Sequence, residues 1–240
     1  MIMKVIIVAE IASNWEGSVT KAKKLIKECK KVGANAVKFQ VWRAADLYNK
    51  KHPNWKEIKK SELTFEKIKL LKDFADRNNI DFFCSLFYPK AVEFLNSLNV
   101  KMHKVASRTC LFKDPYSYET LQKEAKTGKP IIVSMGMKGD KNKIKKIFSK
   151  NKVTFCYCIS EYPTAFNKIQ WNEAKKYDGF SDNTLGIIAP IVFSILKKQQ
   201  GVKHIIIEKH VKLKNSKGPD ASSSIETSQL AKMVSIIRKI

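Results

Sequence analysis

The chain has 240 residues, 44% of them hydrophobic. That is enough for one large domain with a substantial core. Its longest apolar runs, such as Val5 to Val8 and Ile187 to Phe193, fall well short of the ~20 residues that cross a bilayer; with no signal-peptide pattern at the start, a soluble cytoplasmic protein without membrane association is expected. The formal charge of +24 would suit a phosphate backbone, but only four of the 46 basic residues are arginine; lysines strewn along helix faces mark solvated surface rather than base readout, so specific nucleic-acid binding is not expected.

From Lys4 onward, short β-rich runs alternate with amphipathic stretches. The first strand is Val5 to Ile11, followed by a helix from an N-cap at Ser18 to Val32, where Gly33 ends it. Asn35 to Val41 is the second strand. A long lysine-rich connection, about Trp42 to Ser61, exceeds a routine βα loop and reads as a lid or substrate loop. Thr64 caps the second helix, which runs to Asn78 with Leu63 and Ile68 placed as a hydrophobic staple. Strand three is Asp81 to Phe87 and helix three Pro89 to Leu98. Strand four is Met102 to Ser107, helix four Pro115 to Thr127. Strand five is Pro130 to Gly136, helix five Lys141 to Phe148. Strand six is Val153 to Ser160, helix six Asn167 to Tyr177, strand seven Phe180 to Asn183 and helix seven Ile188 to Gln200. His204 to Val211 is strand eight, and Glu226 to Ile237 the last helix.

Eight βα units across residues 1–240, with no linker, predict a single-domain α/β fold, the (β/α)8 TIM barrel. The open doubly wound sheet usually carries a Gly-rich turn after its first strand, and Ala9 to Asn14 has none. Barrel enzymes work at the C-terminal ends of their strands, and nearly every strand here ends in groups that bind anions or move protons. In chain order these include Glu10, Lys38, Gln40, Lys104, Ser107, Ser134, Ser160, Tyr162, Ser181, Asp182, Asn183, Glu208 and His210, with Asp220 beyond strand eight. Lys38 and Lys104 lie in otherwise apolar strands, so each needs an anionic partner from the protein or from a ligand, unless it snorkels to solvent; Glu10 and Glu208 are the protein candidates. The serines could encircle a phosphate or simply form turns. His210, within Glu208-Lys209-His210, suits either metal or acid/base work, and Asp220 either a polyol contact or a turn. Five cysteines without a CxxC suggest neither a disulfide framework nor a zinc knuckle.

In these residues the chain resembles the N-acetylneuraminate (sialic acid) synthases and their legionaminate, pseudaminate and spore-coat relatives. The matching segments are Ala9 to Asn14, Val37-Lys38-Phe39-Gln40, His103 to Ser107, Thr127 to Pro130, Ser134 to Met137, Tyr162-Pro163-Thr164, Phe180-Ser181-Asp182, Glu208-Lys209-His210 and Gly218-Pro219-Asp220. The resemblance implies condensation of phosphoenolpyruvate with an N-acylated amino sugar aldehyde, giving a nonulosonic acid and phosphate. It implies that Lys38, Lys104, Ser107, Ser134, Ser160 and Ser181 hold phosphoenolpyruvate, that Gln40, Tyr162 and Asp220 contact the sugar, and that Glu10 and Glu208 serve near the reacting carbons. It further implies a homodimer and a divalent metal, Mn2+, Mg2+ or Co2+, with His210 as one ligand. The second metal histidine of the usual Ser-Asp-His-Thr is Asn183 here, a weaker donor, and Ser107-Arg108-Thr109 replaces the usual Ser-Gly-Glu. The resemblance covers the barrel, and no C-terminal antifreeze-like domain of the kind full-length members carry is expected after the eighth helix. A barrel that binds phosphoenolpyruvate or sugar without catalysing, as a regulatory or scaffold subunit, is the alternative.

Overall fold

The computed structural model describes residues 3–240. Eight parallel strands follow one another around a closed barrel: β1 (Lys4–Glu10), β2 (Ala36–Val41), β3 (Asp81–Leu86), β4 (His103–Val105), β5 (Ile131–Ser134), β6 (Val153–Tyr157), β7 (Gly179–Asp182) and β8 (His204–Lys212). Closure comes from β1 pairing along its whole length with β8, from Lys4 opposite His204 to Glu10 opposite His210. A two-residue strand, β9 (Ile225–Glu226), extends β8 beyond the barrel. Among the described residues no helix is long and apolar enough to cross a membrane.

The outer layer is α1 (Val19–Lys31), α4 (Phe65–Arg77), α5 (Pro89–Ser97), α6 (Ser117–Lys126), α7 (Lys141–Ile147), α8 (Trp171–Ala174), α9 (Ile188–Gln199) and α10 (Thr227–Ile237). Both expected caps form: the Ser18 hydroxyl accepts from the Lys21 amide at 3.3 Å and Thr64 accepts from Lys67 at 3.4 Å. Leu63 and Ile68 are both buried beside the second cap. The long connection after β2 holds two short helices, α2 (Ala44–Leu47) and α3 (Trp55–Lys60). Trp42, Ala44, Ile58 and Phe87 give it a small core of its own.

The sixth helix differs from expectation. Residues 166–168 form a single 3-10 turn, the chain extends at Ile169, and only Trp171–Ala174 is α-helical. The cause is local, because the Tyr157 hydroxyl takes the Gln170 amide at 3.0 Å and holds the chain away from helical geometry.

Strand alternation divides the core in two. Outward residues such as Ile7, Val37, Phe39, Phe82, Ile205 and Ile207 pack under the helices against Leu25, Ile68, Leu71 and Phe193. Inward residues Val8, Ala36, Phe83, Ile132 and Cys156 form an apolar plug inside the barrel, with Ile6, Met102 and Ile206 against it.

Candidate active site

Two residues further along each strand, the same inward face turns polar. Val8 gives way to Glu10, Ala36 to Lys38 and Gln40, Phe83 to Ser85, Met102 to Lys104, Ile132 to Ser134, Cys156 to Cys158, and Ile206 to Glu208 and His210. These residues, with Ser107, Tyr162, Ser181 and Asn183, line a cavity of about 40 Å³ above the plug. Gly179 sits level with Cys156, where a Cβ would lie 2.3 Å from the cysteine sulfur.

The cavity holds two cations and two anions, all almost fully buried. Lys38 pairs with the Glu10 carboxylate and donates to the Ser85 hydroxyl at 3.0 Å. Lys104 donates to Glu208 Oε1 and to the Ser134 hydroxyl, both at 2.8 Å. Ser181 donates to the same Glu208 oxygen at 2.8 Å, and Lys38 stands 3.6 Å from it. Burial opposes charge on Glu208, but the Lys104 and Lys38 ammonium groups outweigh it and bring the carboxyl down to about 2. For Lys38, burial dominates and lowers the amine to about 8; for Lys104, the Glu208 charge overcomes burial and raises it. Besides Glu10 Oε2, which the Lys38 ammonium contacts, Glu208 Oε2, Ser160 Oγ and His210 Nδ1 are buried around the cavity without a hydrogen-bond partner. Burial also brings the His210 imidazole down to about 4, so it is neutral at physiological pH.

Above this layer, the Tyr162 ring meets the His210 ring edge-on at 6.0 Å between centroids. The Asn183 amide donates to the Ile159 carbonyl at 2.8 Å, which leaves its oxygen clear of that bond. Gly136 lets the loop after β5 close in: its amide donates to the Ser107 hydroxyl at 2.9 Å, and a Cβ there would stand 2.5 Å from Ser160 Oγ and 2.9 Å from Cys158 Sγ.

As a metal centre the donor set is thin. Among the described residues no three of His, Cys, Asp and Glu come together as ligands; His210 and Asn183 offer one imidazole and one amide oxygen. A resident ion ordinarily takes three or more protein donors. Without a third protein donor, these residues do not fit a resident metal site.

Most of the residues expected from sequence meet in this one cavity, but three do not line it: Ser160, which stands beside Gly136 at its edge, Asp182 and Asp220. Asp182, expected to touch substrate, faces out of the barrel: alternation along β7 turns Ser181 in and Asp182 out, where its carboxylate pairs with buried Lys209 at 2.7 Å. Asp220 does not line the cavity either; its Oδ2 accepts the Ser13 amide at 2.9 Å and the Ser13 hydroxyl, tying the loop after β8 to the loop after β1. Ser85, the polar residue at the end of strand three, joins the site, and so does Cys158, which sequence reasoning passed over as a buried apolar residue. Counting every second residue from the apolar plug finds it.

A family model described as the NeuB family matches residues 25–240. A Methanocaldococcus jannaschii protein is 36% identical over 98% of this chain and 70% of its own length. The N,N'-diacetyllegionaminic acid synthase of Campylobacter jejuni is 32% identical over 99% of this chain and 76% of its own. The crystal structure of the N-acetylneuraminic acid (sialic acid) synthetase of Leptospira borgpetersenii superposes with a TM-score of 0.85 at 27% identity, covering 98% of this chain and 84% of that one. With its closed (β/α)8 barrel and the polar layer at the strand ends, the chain belongs to the NeuB family.

Proposed function

We propose that this protein is a nonulosonic acid synthase, joining phosphoenolpyruvate to the aldehyde carbon of an N-acylated amino sugar and releasing phosphate. The observation that carries the reading is the pair of buried lysines, Lys38 and Lys104, surrounded by hydroxyls in one cavity at the C-terminal ends of the strands. Relatives that are legionaminic, sialic and pseudaminic acid synthases support it.

Phosphoenolpyruvate brings a carboxylate and a phosphate. Lys38 and Lys104 receive them, exchanging contacts with Glu10 and Glu208 for contacts with the ligand, and Ser107, Ser134, Ser160 and Ser181 supply hydroxyl donors. The unpartnered Ser160 hydroxyl gains an acceptor in this way. The enol C3 then attacks the aldehyde carbon, the carbonyl pair moves to oxygen, and positive charge develops at C2. Ionised Glu208 stabilises that charge, and its free Oε2 accepts a hydrogen bond from the water that adds at C2. The tetrahedral product of that addition expels phosphate and leaves the keto group. Gln40 and Tyr162, on the cavity wall, face the acceptor.

The test is phosphate release from phosphoenolpyruvate with a panel of N-acylated hexosamines, with product identified by mass. Turnover with at least one acceptor is expected. Saturable phosphoenolpyruvate binding without turnover on any acceptor would instead support a non-catalytic barrel.

A further inference from the structure

We propose that this barrel activates the acceptor carbonyl without a metal ion, through His210 and Asn183 acting as hydrogen-bonding groups. The inference rests on the synthase reading above and names how its acceptor half works.

The observations are local to the ends of β7 and β8. His210 lies on the cavity wall and keeps a buried ring nitrogen with no partner in the protein. A buried polar atom left unpaired is disfavoured, and a ligand oxygen placed there relieves it. The Tyr162 ring edge holds the imidazole from one side. Asn183 is fixed from behind by its bond to Ile159, and its backbone carbonyl accepts the Thr164 amide at 2.9 Å. The amide oxygen therefore has a set position on the same wall. Among the described residues neither group is joined by a third ligand.

In this arrangement the imidazole N–H donates to the acceptor's carbonyl oxygen, and the Asn183 oxygen accepts from a neighbouring hydroxyl or amide of the sugar. The bond to the carbonyl oxygen strengthens as negative charge builds on it during carbon–carbon bond formation. The proton that finally neutralises that oxygen comes from the water that adds at C2, so the reaction balances with no further acid.

Two measurements test this. The first is Mn2+ binding to the protein alone, read from the electron paramagnetic resonance signal of the free ion, in wild type, Asn183→His, and Asn183→His/His210→Ala. We expect no saturable wild-type site tighter than about 1 mM, the weak end for protein cation sites. Asn183→His should bind at least about 10-fold more tightly, and the double variant should lose that gain. The second is phosphate release after chelation. Wild type should keep its rate in EDTA, His210→Ala should lose about 100-fold, and His210→Gln, which keeps an N–H donor, should recover part of that loss. Wild type binding Mn2+ as tightly as Asn183→His, or wild type silenced by EDTA and revived by Mn2+, would overturn the proposal. If no acceptor supports turnover, the synthase reading fails, while the Mn2+ titration still decides whether a metal site exists.

Discussion

Lys104 and Glu208 lie 2.8 Å apart with side chains 2% and 5% exposed. Removing one member of such a pair strands the other charge and destabilises by about 3–5 kcal/mol. Lys104→Met should show that loss in denaturant unfolding and abolish phosphoenolpyruvate binding in calorimetry. The pair also sets an acid limb. Because the folded Glu208 carboxyl is held at about 2, below its ordinary 4.5, its stabilisation is complete above pH 4.5 and lost as pH falls toward 2. Unfolding free energies measured from pH 7 to 3 should therefore slope downward in wild type and flatten in Lys104→Met. Glu124 on α6 behaves oppositely: both its oxygens are buried without a partner, and burial alone raises its pKa well above 4.5. It weakens the fold progressively as pH rises above 4.5, where the unfolded chain ionises first. Glu124→Met should add about 1–3 kcal/mol at pH 7, raising Tm by about 2–4 °C per kcal/mol. Lys38 and Lys104 were legible because a lysine within an apolar strand demands an anion. Glu10 and Glu208 were legible as its candidates, because both end strands of the same barrel; Glu124 was not, since it looks like any helix-face carboxylate until α6 is docked.

At the scale of elements, β7 and β8 carry most of the site. Glu208 and His210 face inward while Lys209, between them, faces out and is bonded to Asp182 and to the Thr184 carbonyl. Asp182 in turn accepts the Thr184 amide at 2.9 Å, so this pair fixes the segment that presents Asn183. Lys209→Met should destabilise by about 3–5 kcal/mol, and adding Asp182→Leu should restore most of that loss, because an isosteric apolar pair replaces buried ions well. Thermal and urea unfolding of both variants check this. Sequence alone grouped Ser181, Asp182 and Asn183 as one cluster; a strand of known register separates them onto opposite faces. The strands themselves were readable throughout, since each is an apolar run between turn residues. The sixth helix was not, because the Tyr157 hydroxyl, on the strand just before it, takes the Gln170 amide and holds its first turn open.

For the molecule as a whole, the eightfold repeat was legible as a barrel because each βα unit is short and regularly spaced. The closing pair between β1 and β8 then places the first and last strands' acids, Glu10 and Glu208, beside the same two lysines. The most direct measurement of the synthase reading is 31P NMR of phosphoenolpyruvate incubated with the purified protein and N-acylated hexosamines. The account predicts conversion to inorganic phosphate that requires both an acceptor and Lys104, with a matching nonulosonic acid by mass spectrometry. An unchanged phosphoenolpyruvate signal with every acceptor, in protein shown to bind phosphoenolpyruvate, would contradict it.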